Sequence, residues 1–278
     1  LHQQPRRQRQ MCIRDRPQID RLDGPFHRSE WAEDEWFHAQ MLKMLDRPTH
    51  GLFIVGCDTG VGKTHVGCLL LQWLRELGLS PGVYKPAESG FDERQPEGSD
   101  AYRLWQAAGR PLTWQQVCPQ RFSAPLAPDQ AALREDRMID SGQLRQGLNV
   151  WKTYSDFVIV EGAGGILSPM SKDEVVLDLA IELGYPVVLV VDDSIGAINR
   201  ALLSLNVAGR YRGGVPLAGW VLNQTSSEED ESRQSNAREI QKRTDVPLLA
   251  KSTYGEQIIT WKHEALAPLL PKMNRPSS

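Results

Sequence analysis

The chain has 278 residues, and its 32 Lys and Arg against 35 Asp and Glu leave a formal net charge of −3. This near balance gives no reason to expect a nucleic acid or an anionic membrane as a partner. Hydrophobic residues make up 40% of the chain, yet no run reaches the roughly 18 apolar residues of a membrane span, which predicts a globular protein. The 4 cysteines form no Cys-x-x-Cys pair, which argues against a zinc or disulfide scaffold and favours a reducing cytoplasm.

The first 50 residues stand apart from the pattern that follows. Residues 1–16 are rich in Arg but lack the apolar core of a secretory signal and the Ser content of a transit peptide. The string MCIRDR at residues 11–16 is typical of a translated library adapter. Apolar side chains between Ser29 and Leu45 recur at helical spacing. We interpret residues 1–50 as an extension that is either artefactual or an appended helix.

From residue 51 onward, short apolar runs alternate with helical patterns. The first run is Leu52 to Val55, and the helical pattern at residues 66–77 follows it and ends at Gly78. Further strands are predicted at residues 82–84, 156–160, 186–191, 216–222 and 246–249, and further helices near 141–153, 174–183, 197–209 and 228–243. Strands that are apolar throughout and alternate with helices indicate a mostly parallel sheet covered on both faces. The sequence therefore predicts a single α/β domain over residues 51–270, followed by a tail at 271–278.

A glycine-rich loop joins the first predicted strand to its helix. It runs from Gly56 to Thr64 and ends in Gly-Lys-Thr. In loops of this kind backbone N–H groups face phosphates at a helix N-terminus, the lysine reaches the β- and γ-phosphates, and the hydroxyl holds Mg²⁺. The first glycine lies one position earlier than usual, because Cys57 occupies the expected place. The loop predicts a P-loop nucleotide site.

Four further polar residues stand where predicted strands end or a helix begins. Lys85 follows the second strand in Tyr-Lys-Pro-Ala-Glu-Ser-Gly, and Asp100 opens a helix after Ser99. Glu161 ends an apolar strand and begins the turn Glu-Gly-Ala-Gly-Gly, and Asn223 ends another strand. Ligands of parallel α/β sheets bind at the carboxyl ends of the strands, and a lone buried glutamate is costly, so Glu161 predicts a metal ion or a cation partner. Considered one at a time, Lys85 also fits a solvated lysine, Asp100 a helix cap and Asn223 an ordinary turn residue.

Together these motifs resemble those of the dethiobiotin synthetase family, part of the P-loop NTPase superfamily. The family pattern is Gly-x-Asp-Thr-x-Val-Gly-Lys-Thr, then Tyr-Lys-Pro-x-x-Ser-Gly, then Ser/Thr-Asp, then Glu-Gly-Ala-Gly-Gly. All four segments occur here in that order, over about residues 51–250. The resemblance implies an ATP- and Mg²⁺-dependent ligase of biotin synthesis, which carboxylates 7,8-diaminononanoate with CO₂ and closes the ring to dethiobiotin, releasing ADP and phosphate.

The resemblance also implies a role for each matching residue. The catalytic residues would be Lys63 and Lys85, the second steadying the carbamate and the phosphoryl group that passes to it. Thr64, Asp100 and Glu161 would hold Mg²⁺. The nucleotide would be bound by residues of the first loop, of the later glycine-rich turn and of one further strand end: Gly60, Val61, Gly62, Lys63, Thr64, Glu161, Gly162, Ala163, Gly164 and Asn223.

The diamine and the assembly follow from the same resemblance. Thr59 and Ser89 would contact the diamine. The stretch at residues 189–199 resembles the family segment that reaches across a homodimer, where Asn199 would touch the carboxylate tail of substrate in the other subunit. The implied protein is thus a cytoplasmic homodimer with small-molecule substrates and no nucleic-acid or membrane partner.

Three departures from the family pattern and two alternatives accompany this interpretation. Residues 250–253 read Ala-Lys-Ser-Thr where the family continues Gly-Glu/Arg-Ile-Pro, which leaves nucleotide selectivity open; residues 126–129 also differ, and Gly60 stands where many members carry an acid. A partitioning-type ATPase would carry a signature lysine at the position of Asp58. A cobyrinate-type amidoligase would need a glutamine-hydrolysing domain beyond residue 250.

Overall fold

The computed structural model describes residues 47–272. The helix predicted between Ser29 and Leu45 lies outside the described residues, as do residues 273–278 of the predicted tail.

Strands and helices alternate along the described chain. The strands are β1 (Gly51–Gly56), β2 (Pro81–Tyr84), β3 (Ala87–Ser89), β4 (Gln120–Phe122), β5 (Phe157–Gly165), β6 (Val187–Asp192), β7 (Leu217–Asn223) and β8 (Leu248–Ser252). The helices are α1 (Lys63–Glu76), α2 (Asp100–Ala107), α3 (Trp114–Val117), α4 (Pro128–Arg134), α5 (Ser141–Gln146), α6 (Trp151–Tyr154), α7 (Val176–Leu183), α8 (Ala197–Ala208), α9 (Asn236–Gln241) and α10 (His263–Leu266). Short 3₁₀ turns lie at Pro96–Gly98, Tyr211–Gly213, Glu231–Gln234 and Ala267–Leu269.

Six strands form one sheet in the order β2-β5-β1-β6-β7-β8, and every neighbouring pair in it is parallel. Its central strands are buried along nearly their whole length, because their β-branched and aliphatic side chains are covered by helices. This confirms the predicted α/β fold with a mostly parallel sheet. None of the helices in the described range is long and apolar enough to cross a membrane.

The apolar stripe of α1 packs on this sheet. Val66, Leu70 and Leu74 recur at helical spacing and are fully buried. Burying each such side chain contributes about 1.5–3 kcal/mol. After the last turn Gly78 adopts φ 83°, and its N–H and that of Leu79 bond back to carbonyls of the helix, which is the ending that the sequence predicts.

Two predicted helices differ in extent from the observed ones. The helix predicted at 141–153 is two short helices, because the Tyr84 hydroxyl donates to the carbonyl of Leu144 (3.2 Å) and the chain turns at Gly147. An added Cβ at Gly147 would lie 2.2 Å from that hydroxyl. The helix predicted at 228–243 begins only at Asn236, after a 3₁₀ turn.

Strand β5 is longer than predicted, and a second small sheet was not predicted. β5 continues to Gly165, which pairs with Gly56 of β1. The register shifts between Glu161 and Gly165, and Gly164 has φ 75°, so the predicted turn is an irregular continuation of the strand. β3 and β4 form a separate parallel pair.

The order of the strands decides which loops meet. β5 lies between β2 and β1, so the segments at the carboxyl ends of these three strands are neighbours. Lys85 directly follows β2, Glu161 lies within β5, and the glycine-rich loop follows β1. The topology thus brings three sequence-distant motifs to one edge of the sheet.

Candidate active site

The loop between β1 and α1 is shaped by glycines. Gly62 has φ 87°, a left-handed conformation that L side chains rarely adopt, and an added Cβ there would lie 2.1 Å from Asn223 Nδ2. The same Asn223 amide donates to the carbonyl oxygen of Val61 (2.9 Å) and so ties the loop to the end of β7. Lys63 Nζ lies 3.3 Å from the carbonyl oxygen of Asp58, so the lysine folds back over the loop.

A cavity of about 280 Å³ opens beside this loop. Its wall combines the loop, the start of α1, the segment from Lys85 to Ser89, the start of α2 and the end of β5. The lining residues are Thr59, Gly60, Gly62, Lys63, Thr64, His65, Lys85, Glu88, Ser89, Asp100, Arg103, Ala163 and Gly164. Ten of these thirteen are residues that the sequence predicts for the site.

The floor of the cavity is a tight cluster of charges. Glu161 is fully buried; its Oε1 accepts hydrogen bonds from the Thr64 hydroxyl (2.9 Å) and from Lys85 Nζ (2.6 Å). Lys85 Nζ also lies 3.3 Å from Asp100 Oδ2. Residues from β5, α1, α2 and the end of β2 thus converge within hydrogen-bond distance, as the sequence predicts for Thr64, Asp100 and Glu161.

These contacts set the protonation of the cluster. Burial by itself lowers the pKa of the Lys85 ammonium, but the attraction of Glu161 and Asp100 outweighs burial and the pKa is raised. Partial burial raises the pKa of Asp100, but Lys85 and a hydrogen bond from Thr64 outweigh it and the pKa is lowered. For Lys63, burial outweighs the attraction of Glu161 and the pKa is lowered. Lys85 is therefore a fixed positive charge at neutral pH and cannot serve as a proton acceptor.

The donor set fits a magnesium ion. The second carboxylate oxygen of Glu161, Oε2, is buried and has no hydrogen-bond partner, although an unpaired buried oxygen is costly. Hydroxyl and carboxylate oxygens are the ligands that Mg²⁺ takes, usually one or two carboxylates together with phosphates and waters. No cluster of three or more His, Cys, Asp or Glu side chains suited to a metal occurs between residues 47 and 272. Two carboxylates and one hydroxyl match an ion that shares its ligands with a nucleotide.

Five predicted site residues do not line the cavity, and one of them, Glu161, is fully buried but contacts the lining residues Thr64 and Lys85. Val61 and Gly162 are covered, Val61 by the chain around it and Gly162 by Val176, whose Cγ1 would lie 2.7 Å from an added Cβ. Asn223 is buried behind the loop, and its Oδ1 has no hydrogen-bond partner. Asn199 is exposed on the first turn of α8, away from the cavity.

The sequence analysis missed three cavity residues: His65, Glu88 and Arg103. His65 follows Thr64, and its Nε2 lies 3.2 Å from Ser252 Oγ at the end of β8. Burial, followed by the charge of Arg103, lowers the pKa of His65. Glu88 occupies a variable position of the Tyr-Lys-Pro-x-x-Ser-Gly motif, and only its acidity next to Ser89 could have drawn attention to it.

A glycine-rich loop that presents Lys and Thr to a cavity at the carboxyl edge of a parallel sheet defines a P-loop nucleotide-binding protein. The sequence profile described as AAA domain matches residues 50–259. The ATP-dependent dethiobiotin synthetase of Rhodopirellula baltica is 40% identical over 211 residues, which cover 71% of this chain and 82% of that protein. The chain belongs to the dethiobiotin synthetase family.

A second relative agrees with this membership. The ATP-dependent dethiobiotin synthetase of Anaeromyxobacter dehalogenans is 42% identical over 200 residues, covering 72% of this chain and 88% of that protein. The solved structure of the signal recognition particle receptor FtsY from Elizabethkingia anophelis is 15% identical in sequence; the match covers 84% of this chain and 70% of that chain, with a TM-score of 0.46. The predicted family and enzyme class, a ligase, are confirmed, which decides against the partitioning ATPase and the amidoligase.

Proposed function

We propose that this protein uses ATP and Mg²⁺ to carboxylate 7,8-diaminononanoate with CO₂ and to close the ring of dethiobiotin, with release of ADP and phosphate. One observation carries the proposal. Lys63, Thr64, Lys85, Asp100 and Glu161 come from four segments of the chain, yet the first four line a single cavity of about 280 Å³ and Glu161 contacts Thr64 and Lys85. Family membership supports the reaction, and the relatives, which are ATP-dependent dethiobiotin synthetases, support the dependence on ATP.

The cavity has two halves with different tasks. The P-loop side presents backbone N–H groups and Lys63 to the phosphates. The segment from Lys85 to Ser89 presents the Ser89 hydroxyl, which together with the Thr59 hydroxyl of the loop would hold the diamine next to Lys85. Carbon dioxide adds to one amine to give a carbamate, the carbamate oxygen takes the γ-phosphoryl group, and the second amine attacks the carbamoyl carbon and expels phosphate.

Lys85 acts through its charge. The carbamate and the phosphoryl group in transfer are both anionic, and a preorganised cation stabilises the charge that they share in the transition state. Its contacts with Glu161 and Asp100 hold the ammonium in place before substrate arrives. Positioning and charge neutralisation therefore carry most of the rate enhancement.

Mg²⁺ would be held by Thr64, Asp100 and Glu161, and it neutralises phosphate charge when bound. The unpaired Glu161 Oε2 is the observation that supports this donor set. The remaining ligands would be nucleotide oxygens and water.

The active form is proposed to be a cytoplasmic homodimer. A groove of about 460 Å³ runs between the loop after β5 and the face of α8 that carries Leu203 and Val207. Leu203 of this groove is 59% exposed, and Ile195, just before α8, is 78% exposed; an interface would cover such apolar side chains. A second copy seated there would bring its own Asn199 to the same interface.

An ADP-release assay tests the proposal. Purified protein is given ATP and Mg²⁺, and diaminononanoate and bicarbonate are added singly and together. We expect ADP release to depend on both additions. ADP release that is independent of the diamine would contradict the proposed reaction and would indicate an ATPase of another kind.

A further inference from the structure

Glu88 reaches from β3 to the first turn of α2. Its Oε1 accepts the N–H of Asp100 (2.7 Å) and its Oε2 accepts the N–H of Ala101 (3.1 Å). The first N–H groups of a helix have no partner within the helix, and a residue at the N-cap normally serves one of them. Here Ser99 caps the N–H of Tyr102 (3.2 Å), and a carboxylate twelve residues upstream takes two more.

The strand that carries Glu88 is itself fixed. β3 pairs with β4, where Glu88 lies opposite Arg121, and the N–H of Phe91 bonds to the carbonyl of Phe122 (2.9 Å). The neighbouring Ser89 lines the cavity. Glu88 therefore connects a rigid strand on the diamine side of the cavity to the helix that begins with Asp100.

Asp100 needs such support. Its side chain is 42% exposed, so packing does not hold its carboxylate in place. The one ion pair of Asp100 within the described range is with Lys85 at 3.3 Å, and Lys85 makes a shorter contact of 2.6 Å with Glu161. Besides Lys85 and a hydrogen bond with Thr64, the placement of Asp100 thus depends on where its own backbone is held.

The charge of Glu88 is stabilised by the charge of Lys85, which lies beyond ion-pair distance, and by direct contacts with the start of α2. No Lys, Arg or His nitrogen within residues 47–272 lies within 4.0 Å of its carboxylate, although Glu88 is only 5% exposed. At hydrogen-bond distance the carboxylate contacts two backbone N–H groups at the start of α2, where the positive end of the helix dipole also favours a negative charge. Glu88 lines the cavity and is costly to bury, and its carboxylate fixes the start of α2.

Resting on the proposed function, we propose that Glu88 is a positioning residue for Asp100, which holds this carboxylate where the metal ion and Lys85 need it. Partners that orient a metal ligand typically change metal affinity or activity by 10- to 100-fold when they are removed. Glu88 acts through Asp100 and makes no contact with the reacting atoms.

The test compares Mn²⁺ binding in the presence of ADP, followed by electron paramagnetic resonance, between wild type and Glu88→Gln. The glutamine amide turns one acceptor into a donor that faces a backbone N–H. We expect a weakening of Mn²⁺ binding of about tenfold, while metal-free ADP binding and the KM for the diamine change less than about twofold. Glu88→Asp keeps the charge and serves as the second variant if Glu88→Gln does not fold; its shorter side chain should give a weakening in the same direction.

Two controls make the outcome specific. Glu93→Gln removes an exposed carboxylate nearby that lines no part of the cavity, and it should leave Mn²⁺ binding unchanged. Ser99→Ala removes the other cap of the same helix turn; it should lower the melting temperature with little effect on Mn²⁺ affinity.

The proposal is overturned by unchanged Mn²⁺ affinity in folded Glu88→Gln, or by an equal loss in Ser99→Ala, which would indicate general loosening of the helix. A raised KM for the diamine with unchanged Mn²⁺ affinity also overturns it, since the carboxylate would then serve the substrate. Failure of the wild type to bind Mn²⁺ with ADP overturns the proposed metal site itself, whereas failure of the variants alone to differ overturns only the role of Glu88.

Discussion

Lys85 holds the centre of the site, because its ammonium contacts the carboxylates of both Glu161 and Asp100. Glu161 is fully buried, so its charge is tolerable only next to a cation. The attraction of the same two acids raises the pKa of Lys85 and so keeps its ammonium charged at neutral pH. In the proposed function, Lys85 thus serves both the stability of the buried Glu161 and the chemistry of the reaction.

Lys85→Ala is expected to lower turnover by about a hundredfold or more while ATP affinity changes by a few-fold, because the charge acts mainly in the transition state. The variant should also lose about 3–5 kcal/mol of stability without ligands, since Glu161 is left buried and unpaired. Steady-state kinetics and chemical unfolding measure the two effects.

Lys172→Ala, an exposed lysine outside the cavity, is the matched control and should change neither quantity. Turnover of Lys85→Ala equal to that of the wild type would remove Lys85 from the mechanism.

At the scale of elements, α5 and α7 are tied together by charge. Arg145 of α5 pairs with Glu174, just before α7, and with Glu182 within it. Partial burial raises the pKa of Glu174, but the hydrogen bond and charge of Arg145 outweigh it and the pKa is lowered. A carboxylate with a lowered pKa stabilises the fold above its unfolded pKa, and this contribution is lost as the pH falls through its folded pKa.

Glu174→Gln is therefore expected to destabilise the protein by about 1 kcal/mol at pH 7, a small amount because both partners are partly exposed. The difference from wild type should shrink as the pH falls below about 4.5. Urea unfolding at a series of pH values measures it, with Glu93→Gln as the control. A difference that stays constant down to pH 3 would mean that the ion pair does not carry the effect.

Some of the secondary-structure elements could be predicted from the sequence, and others could not. Strands such as β1 and β6 and the helix α1 were predictable, because their apolar patterns report burial directly. The extension of β5 to Gly165 was not, since Gly-Ala-Gly-Gly is typical of a turn and becomes a strand here through pairing with β1. The cap that Glu88 provides was equally hidden, because the acceptor and the helix start lie twelve residues apart and meet only in the folded chain.

At the scale of the whole molecule, the cavity and the exposed first turn of α8 are separate in one chain. Asn199 lies on α8, whereas Lys85 and Thr64 line the cavity. The proposed homodimer would make Asn199 part of the neighbouring subunit's site. Activity would then depend on association, which a complete single-chain site would not require.

Asn199→Ala is expected to raise the KM for the diamine by about ten- to a hundredfold and to spare the KM for ATP, because one charge-assisted hydrogen bond to the carboxylate tail is lost. Asn206→Ala, on the same helix with its amide bonded to the carbonyl of Leu202, should have little effect. Dilution of the wild type should lose diamine binding before nucleotide binding. Light scattering that shows a fully active monomer would contradict the dimer.

The proposed function is tested most directly by following the carbon atom of bicarbonate into the product. Wild-type protein is incubated with ATP, Mg²⁺, diaminononanoate and ¹³C-bicarbonate, and the product and ADP are quantified by mass spectrometry. We expect one labelled carbon in a cyclic urea, formed in equal amount to ADP and only when all substrates are present. ADP formed without labelled product, or a labelled product formed without ADP, would contradict the proposed function.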